Sequence, residues 1–98
     1  MEITLKNVEL KAIDGKTFDG AEGTPMSLFD ACSIALSTDV KEDETVSFKA
    51  KCARMDLAKL FVDSKEELVI DSEQISEIEK RAAQLFKSPL CWSIKQAM

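Results

Sequence analysis

Histidine is absent from this 98-residue chain. With it go the Ser-His-Asp and Cys-His nucleophile pairs, every zinc site that uses an imidazole, and the side chain that most often moves protons near neutral pH. Glycine and proline are scarce, at three and two residues, so neither extended disorder nor a linker-divided chain is expected. No run approaches the roughly 20 continuous apolar residues of a membrane-spanning helix. The opening Met1-Glu2-Ile3-Thr4-Leu5 lacks the basic start and apolar run of a secretory signal. These absences point to a single domain over residues 1–98 in the cytoplasm. An excess of positive charge is missing too: 13 basic against 18 acidic residues leave a net charge of −5. Affinity for a polyanion comes largely from Lys and Arg displacing counterions, so this balance argues against nucleic acid and anionic membranes as partners.

Cysteine is sparse and widely spaced. Cys32, Cys52 and Cys91 form no CxxC pair and cannot all be joined within one chain. Each falls near an expected apolar face, which fits reduced core thiols acting as small hydrophobes. A three-thiolate zinc site lacks a fourth ligand. The acidic cluster Asp39, Glu42, Asp43 and Glu44 has the wrong spacing for a calcium loop, which alternates its ligands around a central glycine; it reads as a solvated helix N-terminus. Gly20-x-x-Gly23 is not followed by the Gly-Lys-Ser/Thr of a phosphate loop. Asp56, Glu77 and Glu79 sit without the strictly apolar surroundings that raise a carboxyl pKa toward working pH. No catalytic, metal or cofactor residue is therefore expected, and the protein is expected not to be an enzyme.

What is present is a pattern of elements. Ile3 and Leu5 alternate with polar neighbours, the phase slips at Lys6-Asn7, and Val8, Leu10 and Ala12 resume it, as at a bulge or short turn. Asp14-Gly15 predicts a hairpin turn of type I′. The stretch from Asp19 to Thr24 predicts a loop, and Ser27-x-x-Asp30 predicts a capping box opening a short buried helix to about Ser37. A second helix is expected from about Lys41 to Val62. It carries one apolar stripe through Val46, Ala50, Ala53 and Leu57 and a second through Phe48, Cys52 and Met55, which predicts that it is the spine of the fold. Leu68-Val69-Ile70 can add a short strand. Asp71 or Ser72 then caps a third helix carrying Ile75, Ile78, Ala82, Leu85 and Phe86. Ser88-Pro89 restarts the chain into a fourth, with Leu90 and Ile94 on one face. The expected fold class is α+β and mainly helical, an N-terminal β-hairpin with room for a third short strand, packed on four α-helices.

Five side chains stand out as interaction candidates. Trp92 lies one step off the Leu90/Ile94 stripe, so it either fills the core or anchors an interface, where aromatic residues dominate the energetics. Trp92 and Phe48 are the aromatics a homodimer contact would use. Arg54, with Lys51, shares a basic face with Lys80 and Arg81 if the second and third helices are neighbours, which supports an alternative reading as a nucleic-acid-binding regulator; a polar face with i,i+4 pairing is the competing one.

Several motifs recur in a familiar order: Asp14-Gly15-Lys16, then Leu28, Ala31-Cys32 and Ala35-Leu36, then Leu57-Ala58. Leu68 follows, leading into Ser72-Glu73-Gln74-Ile75 and Ile78, and the order ends with Ser88-Pro89-Leu90 and Gln96. From about Lys6 to Met98 the chain resembles a group of small uncharacterised tailed-phage and prophage proteins. Its opening, Ile3-Thr4-Leu5 through Asp14-Gly15-Lys16, is also similar to the start of some phage tail-assembly chaperones. The resemblance implies a phage-type accessory protein in the bacterial host cytoplasm, acting on a phage or host protein partner without catalysis. Two jobs fit, aiding virion assembly or modulating a host factor. The shared positions are turn, cap and core residues, so no functional residue carries over.

Overall fold

The computed structural model describes residues 2–20, 23–40 and 44–98. The alternation at the N-terminus builds β1 (Glu2–Lys6), which pairs antiparallel with β2 (Glu67–Asp71). Ile3 lies opposite Ile70 and Leu5 opposite Leu68. The period of two therefore puts all four on the face that meets the helices, with Leu5 and Ile70 buried. Lys6 faces Glu67 across the ladder, an opposite-charge pair at its open end. The short strand expected at Leu68–Ile70 thus supplies the partner of β1 and completes the only two-stranded sheet among the described residues.

The phase slip at Asn7 is where the chain leaves this sheet. Asn7 N–H donates to Glu66 O at 2.7 Å, and beyond it Glu9 bridges to Ser27. The hairpin at Asp14-Gly15 is present in short form, held by a Lys11–Thr17 bridge and by Ala12 N–H to Lys16 O at 2.8 Å. Its turn differs in type from the one expected. Gly15 N–H donates to Ala12 O at 2.9 Å, which makes Ile13 and Asp14 the central residues. Gly15 follows them at φ 84°, as in a three-residue loop closed by a left-handed glycine.

Four helices follow: α1 (Leu28–Ser37), α2 (Phe48–Asp63), α3 (Ser72–Leu85) and α4 (Ser88–Ala97). The fold is α+β and mainly helical. Ser27 caps α1 through the expected box with Asp30. Asp71 and Gln74 form a second box on α3. For α4 the cap is Lys87, without a side-chain hydrogen bond, and Ser88-Pro89 falls inside the first turn. Ser47 caps α2, its Oγ accepting from Ala50 N–H at 3.2 Å. This helix therefore starts several residues later than expected; of the acidic residues placed in its first turn, Glu44 precedes the cap, while Glu42 and Asp43 lie outside the described residues.

The spine is α1, not α2. Six of the ten α1 residues are buried, and α2, α3 and α4 all pack on it. On α2 only Ala58 and Phe61 are buried, and Phe61 meets Phe29 of α1 edge to face at 5.3 Å. The reason is composition: Lys49, Lys51, Arg54, Asp56, Lys59 and Asp63 ring α2, leaving one face to bury, whereas Asp30 is the only charge on α1.

A largely buried helix cannot leave the terminal N–H and C=O groups of its covered face unpaired, and α1 does not. At its N-terminus Leu28 N–H donates to Val8 O, Phe29 N–H to Asn7 Oδ1 and Asp30 N–H to Ser27 Oγ. At its C-terminus Ala35 O accepts from Arg81 Nε at 2.7 Å and Thr38 O from Arg81 Nη2 at 2.6 Å. Arg81 is 3% exposed. Its positive charge complements the negative end of α1, which is why a full charge sits in this core.

Candidate interaction surface

The turn at Ala12–Gly15 gives Ile13 no element to pack against, and it stands 84% exposed. Across from it, α4 buries Ser93 and Ile94 and so turns Trp92 outward, 41% exposed. Between them lies a hollow of about 410 Å³ lined by Ala12, Ile13, Asp14, Ser88, Pro89 and Trp92. A second hollow of about 440 Å³ shares Ala12, Ile13 and Trp92 and extends to Val8, Lys11 and Gln96. Trp92 and Ile13 are thus a pair of exposed apolar ridges that border both depressions. Asp14 in the rim is turned to the hairpin, its Oδ1 accepting from Lys16 N–H at 3.1 Å. This arrangement can enclose an apolar group of a partner.

The other expected interaction residues are placed elsewhere. Phe48 is 84% exposed on the first turn of α2 and lines neither hollow beside Trp92. Arg54 and Arg81 do converge, but on the chain just after α1 rather than on a surface. Arg54 Nη2 pairs with Asp39 Oδ1 at 2.7 Å with its side chain only 10% exposed, and Arg81 holds the α1 carbonyls. Of the four cations grouped by sequence, Lys80 alone is exposed, and Lys51 is half-buried. A further hollow of about 470 Å³ separates α2 from α3, with Ala50, Ala53 and Leu57 on one wall and Glu73 and Glu77 on the other.

The cysteines divide. Cys32 is enclosed in the core, and burial pushes its thiol from 9.0 up to about 12. Cys91 is half-buried, its Sγ donating to Ala82 O at 3.4 Å and Phe86 O at 3.6 Å. Cys52 is exposed on α2, contrary to the expectation of three core thiols, because only one face of α2 is covered. Among the described residues no three of Cys, Asp and Glu gather at a common point, and no helix is long and apolar enough to cross a membrane.

Sequence reasoning missed Ile13, which it placed before the turn rather than in it. It also passed over a signal in plain view: no Asp or Glu follows Glu79. Residues 80–98 carry a net +4 and the preceding residues −9. Comparison with protein-family models, with curated proteins and with solved structures finds no match.

Proposed function

We propose that the protein is a small phage- or prophage-type accessory protein that acts in the bacterial cytoplasm by binding another protein, without catalysis. The observation supporting this reading is the exposed Trp92–Ile13 pair with a mainly apolar hollow between its members. Aromatic and aliphatic anchors at such depressions are where binding energy concentrates in protein interfaces. The resemblance of its order of turn, cap and core motifs to small tailed-phage proteins supports the phage setting. Within it the partner is a virion component during assembly, or a host factor that the protein inhibits or redirects.

Co-purification of the tagged protein from phage-producing cells, beside Trp92→Ala and Ile13→Ser variants, tests the reading. Head or tail proteins held by the wild type and lost from both variants support assembly. A host nuclease or polymerase lost in the same way supports host modulation. A partner retained unchanged by both variants, or none at all, overturns the proposal.

A further inference from the structure

The surface around Trp92 is electrostatically unlike the rest of the chain. Helix α4 contains no acidic residue. Lys95 lies one turn on from Trp92 and Lys87 precedes the first turn, while Lys11 and Lys16 flank the hairpin whose tip is Ile13. Of these four, Lys11 lines a hollow, where Glu9 and Asp14 also sit, and the other three adjoin lining residues along the chain, in a protein whose net charge is −5. Resting on the reading of this surface as a protein-binding site, we infer that its partner is an acidic segment of another protein that inserts an apolar side chain between Ile13 and Trp92. Apolar contact in the hollow supplies the anchor, and the lysine rim selects the sign of the flanking charge and speeds encounter. Nucleic acid fits less well. One aromatic beside aliphatic Ile13 and Pro89 offers no stacking platform for successive bases.

The test uses a built-in reporter. Trp92 is the sole tryptophan and the chain has no tyrosine, so intrinsic emission reports on this surface alone. The intact protein is titrated with a short synthetic peptide bearing one Phe among Leu and Glu residues, with its counterpart carrying Lys for Glu, and with a single-stranded oligonucleotide. The acidic peptide shifts Trp92 emission with an affinity that weakens as salt rises, and Lys87→Glu with Lys95→Glu weakens it by roughly tenfold while improving the basic peptide. Both lysines are exposed, and an unchanged far-UV spectrum confirms that the double variant folds. Equal binding of both peptides overturns the inference about charge and leaves the apolar docking surface standing. Tighter binding of the oligonucleotide, or emission that changes with protein concentration alone, overturns it in favour of nucleic acid or a second copy. If neither peptide moves the emission, the inference falls, and the Trp92→Ala co-purification decides the underlying reading independently.

Discussion

Replacing Arg81 by Met keeps most of the side-chain volume and removes the guanidinium that ends α1. Among the bonds lost, those to Ala35 O at 2.7 Å and Thr38 O at 2.6 Å have a charged donor and contribute about 1.5–3 kcal/mol each. Their loss is unequal. Thr38 is exposed, so its carbonyl returns to water, whereas Ala35 is wholly buried and its carbonyl is left unsatisfied at a cost of about 1–3 kcal/mol. Relief of the guanidinium's desolvation offsets part of this. The Glu77 contact, at 3.7 Å with the carboxylate 48% exposed, adds no more than about 0.5 kcal/mol. The net expectation for Arg81→Met is a loss of about 2–4 kcal/mol. Arg81→Lys, which keeps the charge but not the fork that reaches two carbonyls, loses about half of that. A domain of this size has about 5–15 kcal/mol in all, so the Met variant folds, with a urea midpoint lower by about 1–2 M. Urea titration followed by Trp92 emission and far-UV circular dichroism reads the difference, with exposed Lys80→Met as the control at under about 0.5 kcal/mol. If Arg81→Met tracks that control, the account of α1 as a helix closed by a distant cation is wrong.

Four further outcomes follow from the same geometry. Asn7→Ala strips the acceptor from Phe29 N–H and is expected to cost about 1–2 kcal/mol, while Asn7→Asp, which keeps an acceptor at the positive end of α1, costs less; equal losses in chemical denaturation would refute the cap. A Cβ at Gly20 would lie 2.9 Å from Thr24 O, the atom that accepts the Gly20 N–H, so Gly20→Ala should lower the melting temperature by roughly 5 °C or more; an unchanged melt sinks the close approach. Thiol labelling of the native protein should run Cys52 first, Cys91 later and Cys32 only on unfolding. Because the folded state holds the Cys32 proton up to about pH 12 while an unfolded thiol releases it near 9.0, stability falls as pH rises through that window; a Cys32→Ala variant should show a shallower fall.

The elements legible in the sequence were those whose cause is local. The capping box at Ser27/Asp30 and the Asp71 cap are satisfied within four residues. The Ile78/Ala82 and Leu90/Ile94 stripes follow from helical period alone. The start of α2 was misplaced because acidic residues suit any helix N-terminus, while the hydroxyl that actually caps, Ser47, competes with them only in three dimensions. The choice of spine failed for a related reason. Two apolar stripes on a sixteen-residue helix look like contact on two sides, yet burial also requires that the charges between the stripes have somewhere to go, and on α2 they do not.

The same distinction governs the candidate site. Trp92 was legible as one of two alternatives, because a residue one step off a buried stripe is either wedged or outward. Its direction was decided by Ser93 and Ile94 facing the core. Ile13 was not legible, because moving the turn centre by one residue, from Asp14-Gly15 to Ile13-Asp14, converts a strand residue into the exposed tip. Arg81 was read as surface because cations are rarely buried, and what buries it are carbonyls of a helix about 45 positions away that no local pattern encodes. Charge segregation was readable throughout, since it needs only a count along the chain, but it acquires meaning only when the acid-free α4 is found to carry the outward Trp92. A surface is a coincidence of distant segments. Here the hairpin tip and α4 meet because α1, capped at one end by Asn7 and at the other by Arg81, holds the two ends of the chain in one core.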